Sequence, residues 1–160
     1  MSKADDILNI SQGNQLTKMR MAGHNLNNDR QKDDFYPTPP DAIYPLLERE
    51  KFKGEIWECA CGDGAISNIL KEYNYNVYSS DLIDRNYGET GIDFLKSNKK
   101  TDNIITNPPF KLGVDFAYHS NQLATKKVAL FSRINFLEGV ARSKCLNLHL
   151  LKKFIFFQEE

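Results

Sequence analysis

The chain has 160 residues, 41% of them hydrophobic, which suffices for one buried core and hardly for two domains. Lys plus Arg and Asp plus Glu number 21 each, so no global basic excess marks the chain as a polyanion binder. No apolar run approaches the roughly 20 residues of a membrane span. No secretory leader is apparent, and the odd set Cys59, Cys61 and Cys145 fits a reducing compartment, so a cytosolic protein is expected.

Residues 1–34 are polar and end in a run of Asn, Asp, Gln and Lys; they are expected to form a mobile arm, with His24 solvated. Order is expected from Phe35 onwards, making 35–160 the folded domain. Thr38 reads as a helix N-cap, with Pro39 at the first helical position and Asp41 in the first turn. Ile43, Leu46 and Leu47 supply the apolar face of that helix, and Pro45 should bend it or make its start irregular.

Glu55 to Ala60 reads as a strand, Cys61-Gly62-Asp63-Gly64 as a tight turn, and Ala65, Ile66, Ile69, Leu70 and Tyr73 recur at helical spacing. Such a strand, glycine turn and helix lets backbone approach a ligand closely, because glycine puts no side chain in the way. Ala60 stands where a pyrophosphate cradle has its first glycine, which weakens that reading. Cys59 and Cys61 have no second Cys or His pair nearby, which speaks against zinc.

Asn76 to Leu82 is a second predicted strand, ending in Asp81. A carboxylate at that tip can accept both ribose hydroxyls of a nucleoside; a loop acid that caps a turn is the plainer alternative. Gly91 to Leu95 is expected as a short third strand. There Asp93 would take the exocyclic amine of an adenine, and Phe94 or Leu82 would cover its face.

The apolar run Asn103 to Thr106 predicts a fourth strand that stops at Asn107-Pro108-Pro109-Phe110, since proline cannot donate to a ladder. An exocyclic amine conjugated to a ring is a poor nucleophile. Two neutral acceptors on its N–H groups, the Asn107 carboxamide oxygen and the Pro108 carbonyl, favour a pyramidal nitrogen with its lone pair free. Phe110 offers a ring for stacking. The plain alternative is a strand-ending loop with a Pro-Pro stop.

Val114, Phe116, Ala117, Leu123 and Ala124 mark the next helix, in which His119 reads as a surface or interface residue rather than a catalyst. A fifth strand is expected over Lys127 to Ser132, a helix over Phe136 to Leu150 and a sixth strand over Phe154 to Phe157. Residues 111–153 carry eight basic side chains against two acidic ones. That balance suits a polyanion-facing surface and a merely solvated one equally. The alternation of strands and helices predicts an α/β fold, a mostly parallel sheet with helices on both faces. The ligand crevice would lie at the carboxyl ends of the strands, where Gly62, Asp81, Asp93 and Asn107 all fall.

In this order of motifs the chain resembles class I S-adenosylmethionine (SAM)-dependent methyltransferases of Rossmann-like fold. More narrowly, it resembles the N6-adenine DNA methyltransferases of the compact phage and prophage type. The residues that carry the likeness lie between Phe35 and Phe136. They are Tyr-Pro-Thr-Pro-Pro, Glu-Cys-Ala-Cys-Gly-Asp-Gly, Ser-Asp-Leu, Ile-Asp-Phe-Leu and Asn-Pro-Pro-Phe. The resemblance implies that Thr38 bonds the methionine carboxylate, while Glu58, Ala60, Cys61, Gly62 and Gly64 line the methionine part. Asp81 would hold the ribose, Leu82 would pack on the adenine, and Asp93 with Phe94 would read it. Asn107, Pro108, Pro109 and Phe110 would form the catalytic motif, with no metal and with DNA as partner.

Two features depart from the family pattern. A seventh strand and the aromatic before it are not evident after Phe157, and no separate target-recognition segment stands out. An incomplete C-terminal hairpin would leave a sheet edge open to self-association. Other readings of the same residues are methylation of an RNA base or a protein glutamine, and a non-catalytic SAM-binding module. A nucleotide dehydrogenase fits less well, because it leaves Asn-Pro-Pro-Phe unexplained.

Overall fold

The computed structural model describes residues 35–132 and the strand at 154–157. The chain divides into two units, Met1–Asp34 and Phe35–Glu160, and all described residues belong to the second. The expected arm over 1–34 and the expected helix over 136–150 lie outside the described residues, as do Cys145, His24 and His149.

Five strands form one sheet: β1 Ile56–Glu58, β2 Val77–Ser79, β3 Thr101–Thr106, β4 Ala124–Phe131 and β5 Phe154–Phe157. Their order is β2-β1-β3-β4-β5, and every pairing is parallel. Among the described residues there are three α-helices: α1 Pro40–Arg49 ahead of β1, α2 Ala65–Glu72 between β1 and β2, and α3 Gly113–Leu123 between β3 and β4. Among the described residues no helix is long and apolar enough to cross a membrane.

Successive strand residues point to opposite faces, and the core divides accordingly. Ile56, Ile105, Ala129 and Phe131 meet Ile43, Leu46 and Leu47 of α1 and Ile66, Ile69 and Leu70 of α2. Their neighbours Trp57, Ile104, Val128 and Leu130 meet Phe116, Ala117 and Leu123 of α3 on the other side. Helices thus cover both faces, the expected Rossmann-like arrangement. A sheet buried on both sides needs continuous apolar runs, and Asn103-Ile104-Ile105-Thr106 is buried throughout.

Two local expectations are corrected. Gly91 to Leu95 is not a strand. Gly91 takes φ +75°, away from extended backbone, and the Asp93 carboxylate accepts the Leu95 N–H at 3.1 Å. These curl Phe94–Lys96 into a 3₁₀ turn. Among the described residues, beyond β2 the sheet is extended only by a bridge between Ser80 and Glu89. Thr38, moreover, does not cap α1: Pro39 is the N-cap and Pro40 opens the helix, because the Thr38 hydroxyl is engaged elsewhere. The helix continues through Pro45, and its first turn is closed by Ala42 N–H donating to the Pro39 carbonyl at 3.0 Å.

Candidate active site at the carboxyl edge of the sheet

Because all strands run parallel, their carboxyl ends share one edge. The chain goes outward from β1 to β2 and then returns to β3 on the other side of β1. That reversal falls between the ends of β1 and β3, the place where open α/β sheets bind ligands. With strands about 5 Å apart, Asp81 after β2 and Asn107 after β3 flank the β1 turn from its two sides.

The turn after β1 is clasped from below and from the side. Gly62 and Gly64 take φ +57° and +88°, backbone conformations that L side chains rarely adopt. A Cβ on Gly62 would fall 2.2 Å from the Phe35 ring, and one on Gly64 would fall 2.5 Å from the Tyr87 ring. Gly62 N–H donates to Asp81 Oδ2 at 2.8 Å, Cys61 N–H to the Ser80 carbonyl at 3.0 Å, and Gly64 N–H to the Cys61 carbonyl at 2.8 Å. Asp81 Oδ1 accepts the Ile83 N–H at 2.9 Å. Each Asp81 oxygen therefore holds one backbone amide and keeps a further lone pair. The cap role and the ligand role weighed for this acid are compatible. Leu82 beside it is 54% exposed, and Ala60 is half-buried.

Glu58, at the end of β1, is 1% exposed and accepts a hydrogen bond from Ser67 of α2. Ser67 Oγ lies 2.6 Å from Ser79 Oγ of β2. Burial pushes the Glu58 carboxyl up to about 8, with Asp81 and Asp63 adding to the rise against the Ser67 bonds. This buried chain ties β1, α2 and β2 together beneath the turn. The two serines look like ordinary helix and strand positions in sequence, and nothing there signals them. Burial also raises both neighbouring thiols, Cys61 to about 12, so neither is a reactive thiolate.

The motif after β3 is built differently. Asn107 is half-buried, Pro108 buried, Pro109 half-buried, and Phe110 is 64% exposed in the 3₁₀ turn Phe110–Leu112. Asn107 Nδ2 donates to Thr38 Oγ1 at 3.0 Å. Among the described residues no hydrogen bond ends on Asn107 Oδ1 or on the Pro108 carbonyl oxygen.

The Asp93–Phe94 pair departs from its expected part. Phe94 is 2% exposed, with ring centroids of Trp57, Phe116 and His119 at 5.2, 4.8 and 5.0 Å. It is a core residue, packed with the cluster that includes Trp57 and Phe116. Asp93 caps the turn and pairs with Lys96 at 2.9 Å, and the hydrogen bond from Lys96 holds its carboxyl below the usual range. His119, expected at the surface or an interface, is half-buried: it bonds the Ser97 carbonyl at 2.9 Å and packs against Phe94.

No protein-family model matches the chain, and no curated protein does. Among solved structures it is similar to the magnesium protoporphyrin IX methyltransferase ChlM of Synechocystis PCC 6803 with bound SAM. That similarity is at 17% identity and TM-score 0.45, covering 59% of this chain and 57% of that one. It is also similar to the PH0226 protein of Pyrococcus horikoshii OT3, at 18% identity and TM-score 0.49 over 64% and 57% of the two chains. A third is the plantazolicin methyltransferase BpumL in complex with SAH, at 17% identity and TM-score 0.39 over 71% and 53%. The chain thus spans somewhat more than half the length of these proteins. The fold assignment stands on the strand order and the two covered faces described above.

Proposed function

We propose that the protein is a SAM-dependent methyltransferase that acts on the N6 amine of adenine in DNA. What supports this reading is that a glycine turn clasped to Asp81 and an Asn107 anchored to Thr38 both follow strands whose carboxyl ends share one edge of a parallel sheet. The residues present fit the donor. Asp81 has lone pairs left for ribose hydroxyls, Leu82 offers an exposed apolar face, and Gly62 and Gly64 admit no side chain. The donor supplies an electrophilic methyl group on a sulfonium.

The other tasks fall to the chain. Asn107 Oδ1 and the Pro108 carbonyl accept the two N6 hydrogens, which draws the nitrogen lone pair out of conjugation and aims it. The nitrogen so held would take the methyl from the donor, which would depart as a neutral thioether, and the surplus N–H proton would pass to water. Phe110, exposed beside them, stacks on the target base. A duplex adenine must be flipped out at a cost of a few kcal/mol, so positioning must supply most of the rate.

Incubation of the full chain with labelled donor and unmethylated DNA tests the reading. Label recovered as N6-methyladenine is the expected result. Label in RNA or in glutamine would move the substrate, and donor binding without transfer to any of them would leave a binding module.

A further inference from the structure

We propose that Thr38 is a positioning residue that selects which end of the Asn107 carboxamide faces the reacting amine. The inference rests on the methyl-transfer reading for its consequence, and on geometry alone for its structure. An asparagine side chain presents an acceptor and a donor end of nearly the same shape. Only the acceptor end serves an amine. A flipped carboxamide would set N–H against N–H, opposing the approach it is meant to guide.

The choice is made behind the motif. Asn107 Nδ2 is turned to Thr38 Oγ1 at 3.0 Å, which leaves Oδ1 at the other end of the amide plane. Thr38 is 4% exposed, so water is poorly placed to replace its hydroxyl. Both backbones are constrained. Thr38 stands between Pro37 and Pro39, which limit its conformations, and Asn107 precedes Pro108, which keeps it extended. The hydroxyl is spent here rather than on capping α1, although a threonine ahead of two prolines is well placed for a cap. It accepts from Asn107 as long as its own hydrogen is turned aside. Valine keeps the shape and loses that acceptor; serine keeps it.

The test has one arm that needs no activity. In the amide spectrum of the full chain, the Asn107 side-chain NH₂ is identified by its loss in Asn107→Ala. Its exchange with water should be slow in the wild type, at least about tenfold faster in Thr38→Val, and largely restored in Thr38→Ser. Turnover at saturating donor should fall about tenfold in Thr38→Val and recover in Thr38→Ser. Should Thr38→Val unfold, Thr38→Ala takes its place.

Fast exchange of the Asn107 amide in the wild type would overturn the inference. So would a Thr38→Val enzyme whose donor KM rises while kcat stays intact, since that describes a residue serving the donor only. Absence of methyl transfer in the wild type would instead sink the proposed function, with the exchange arm still deciding the role of Thr38.

Discussion

The two halves of the candidate site are finished to different degrees. The glycine turn after β1 is closed on itself: its amides are bonded, its glycines lie against Phe35 and Tyr87, and its strand ends in a carboxyl sealed under Ser67. Asn107-Pro108-Pro109-Phe110 after β3 is less enclosed: Asn107 is fixed to Thr38 by its Nδ2 end, and Phe110 is 64% exposed. A half that only holds a ligand gains from being bonded in advance, since binding then costs little ordering. A half that changes bonding during a reaction must keep acceptors unspent. Under the proposed function the difference would divide holding from acting, with β1 and β2 serving the first and β3 the second.

The largest expected effect breaks the closed half from beneath. Glu58 is held in the folded state at about 8, above its ordinary 4.5, so the folded protein keeps a proton that the unfolded chain gives up. The contribution of Glu58 to stability should therefore be greatest below about 4.5, fall as pH rises towards about 8, and level off above it. Glu58→Gln, always neutral, should flatten that slope and stabilise the protein at pH 8, by an amount of the order of several kcal/mol. Denaturant titrations of both proteins at pH 5 and pH 8 check this.

Breaking the less enclosed half should act on rate and not on stability. Asn107→Ala is expected to lower turnover about 100-fold, as loss of one preorganised hydrogen-bond partner does elsewhere, with the melting temperature nearly unchanged. Single-turnover kinetics at saturating donor measure it.

Gly62→Ala sharpens the contrast at smaller cost. A left-handed alanine and a ring pushed aside should take about 2 kcal/mol from stability and weaken donor binding, while any turnover that remains keeps its dependence on Asn107. Thermal melts with and without donor separate the two losses.

Much of this division can be read in the amino-acid sequence. Cys61-Gly62-Asp63-Gly64 announces its turn because positive φ at two positions needs glycine, and Asn107-Pro108-Pro109 announces its strand end because proline cannot stay in a ladder. Other parts are hidden for physical reasons. Ile92-Asp93-Phe94-Leu95 alternates like a strand, yet a side-chain cap at Asp93 and a left-handed Gly91 override the pattern. Thr38 reads as a cap because local rules cannot know that Asn107 arrives 69 residues later to take its hydroxyl. The Glu58, Ser67 and Ser79 chain is likewise assembled from three elements by tertiary packing alone.

The division of labour is tested most directly by calorimetric titration of S-adenosylmethionine into the wild type, Asn107→Ala and Asp81→Ala. The expected result is tight binding to the first two with similar affinity and severe loss in the third, whose turn has lost the acceptor for Gly62 and Ile83. Undiminished binding to Asp81→Ala, or loss of binding in Asn107→Ala alone, would contradict the account.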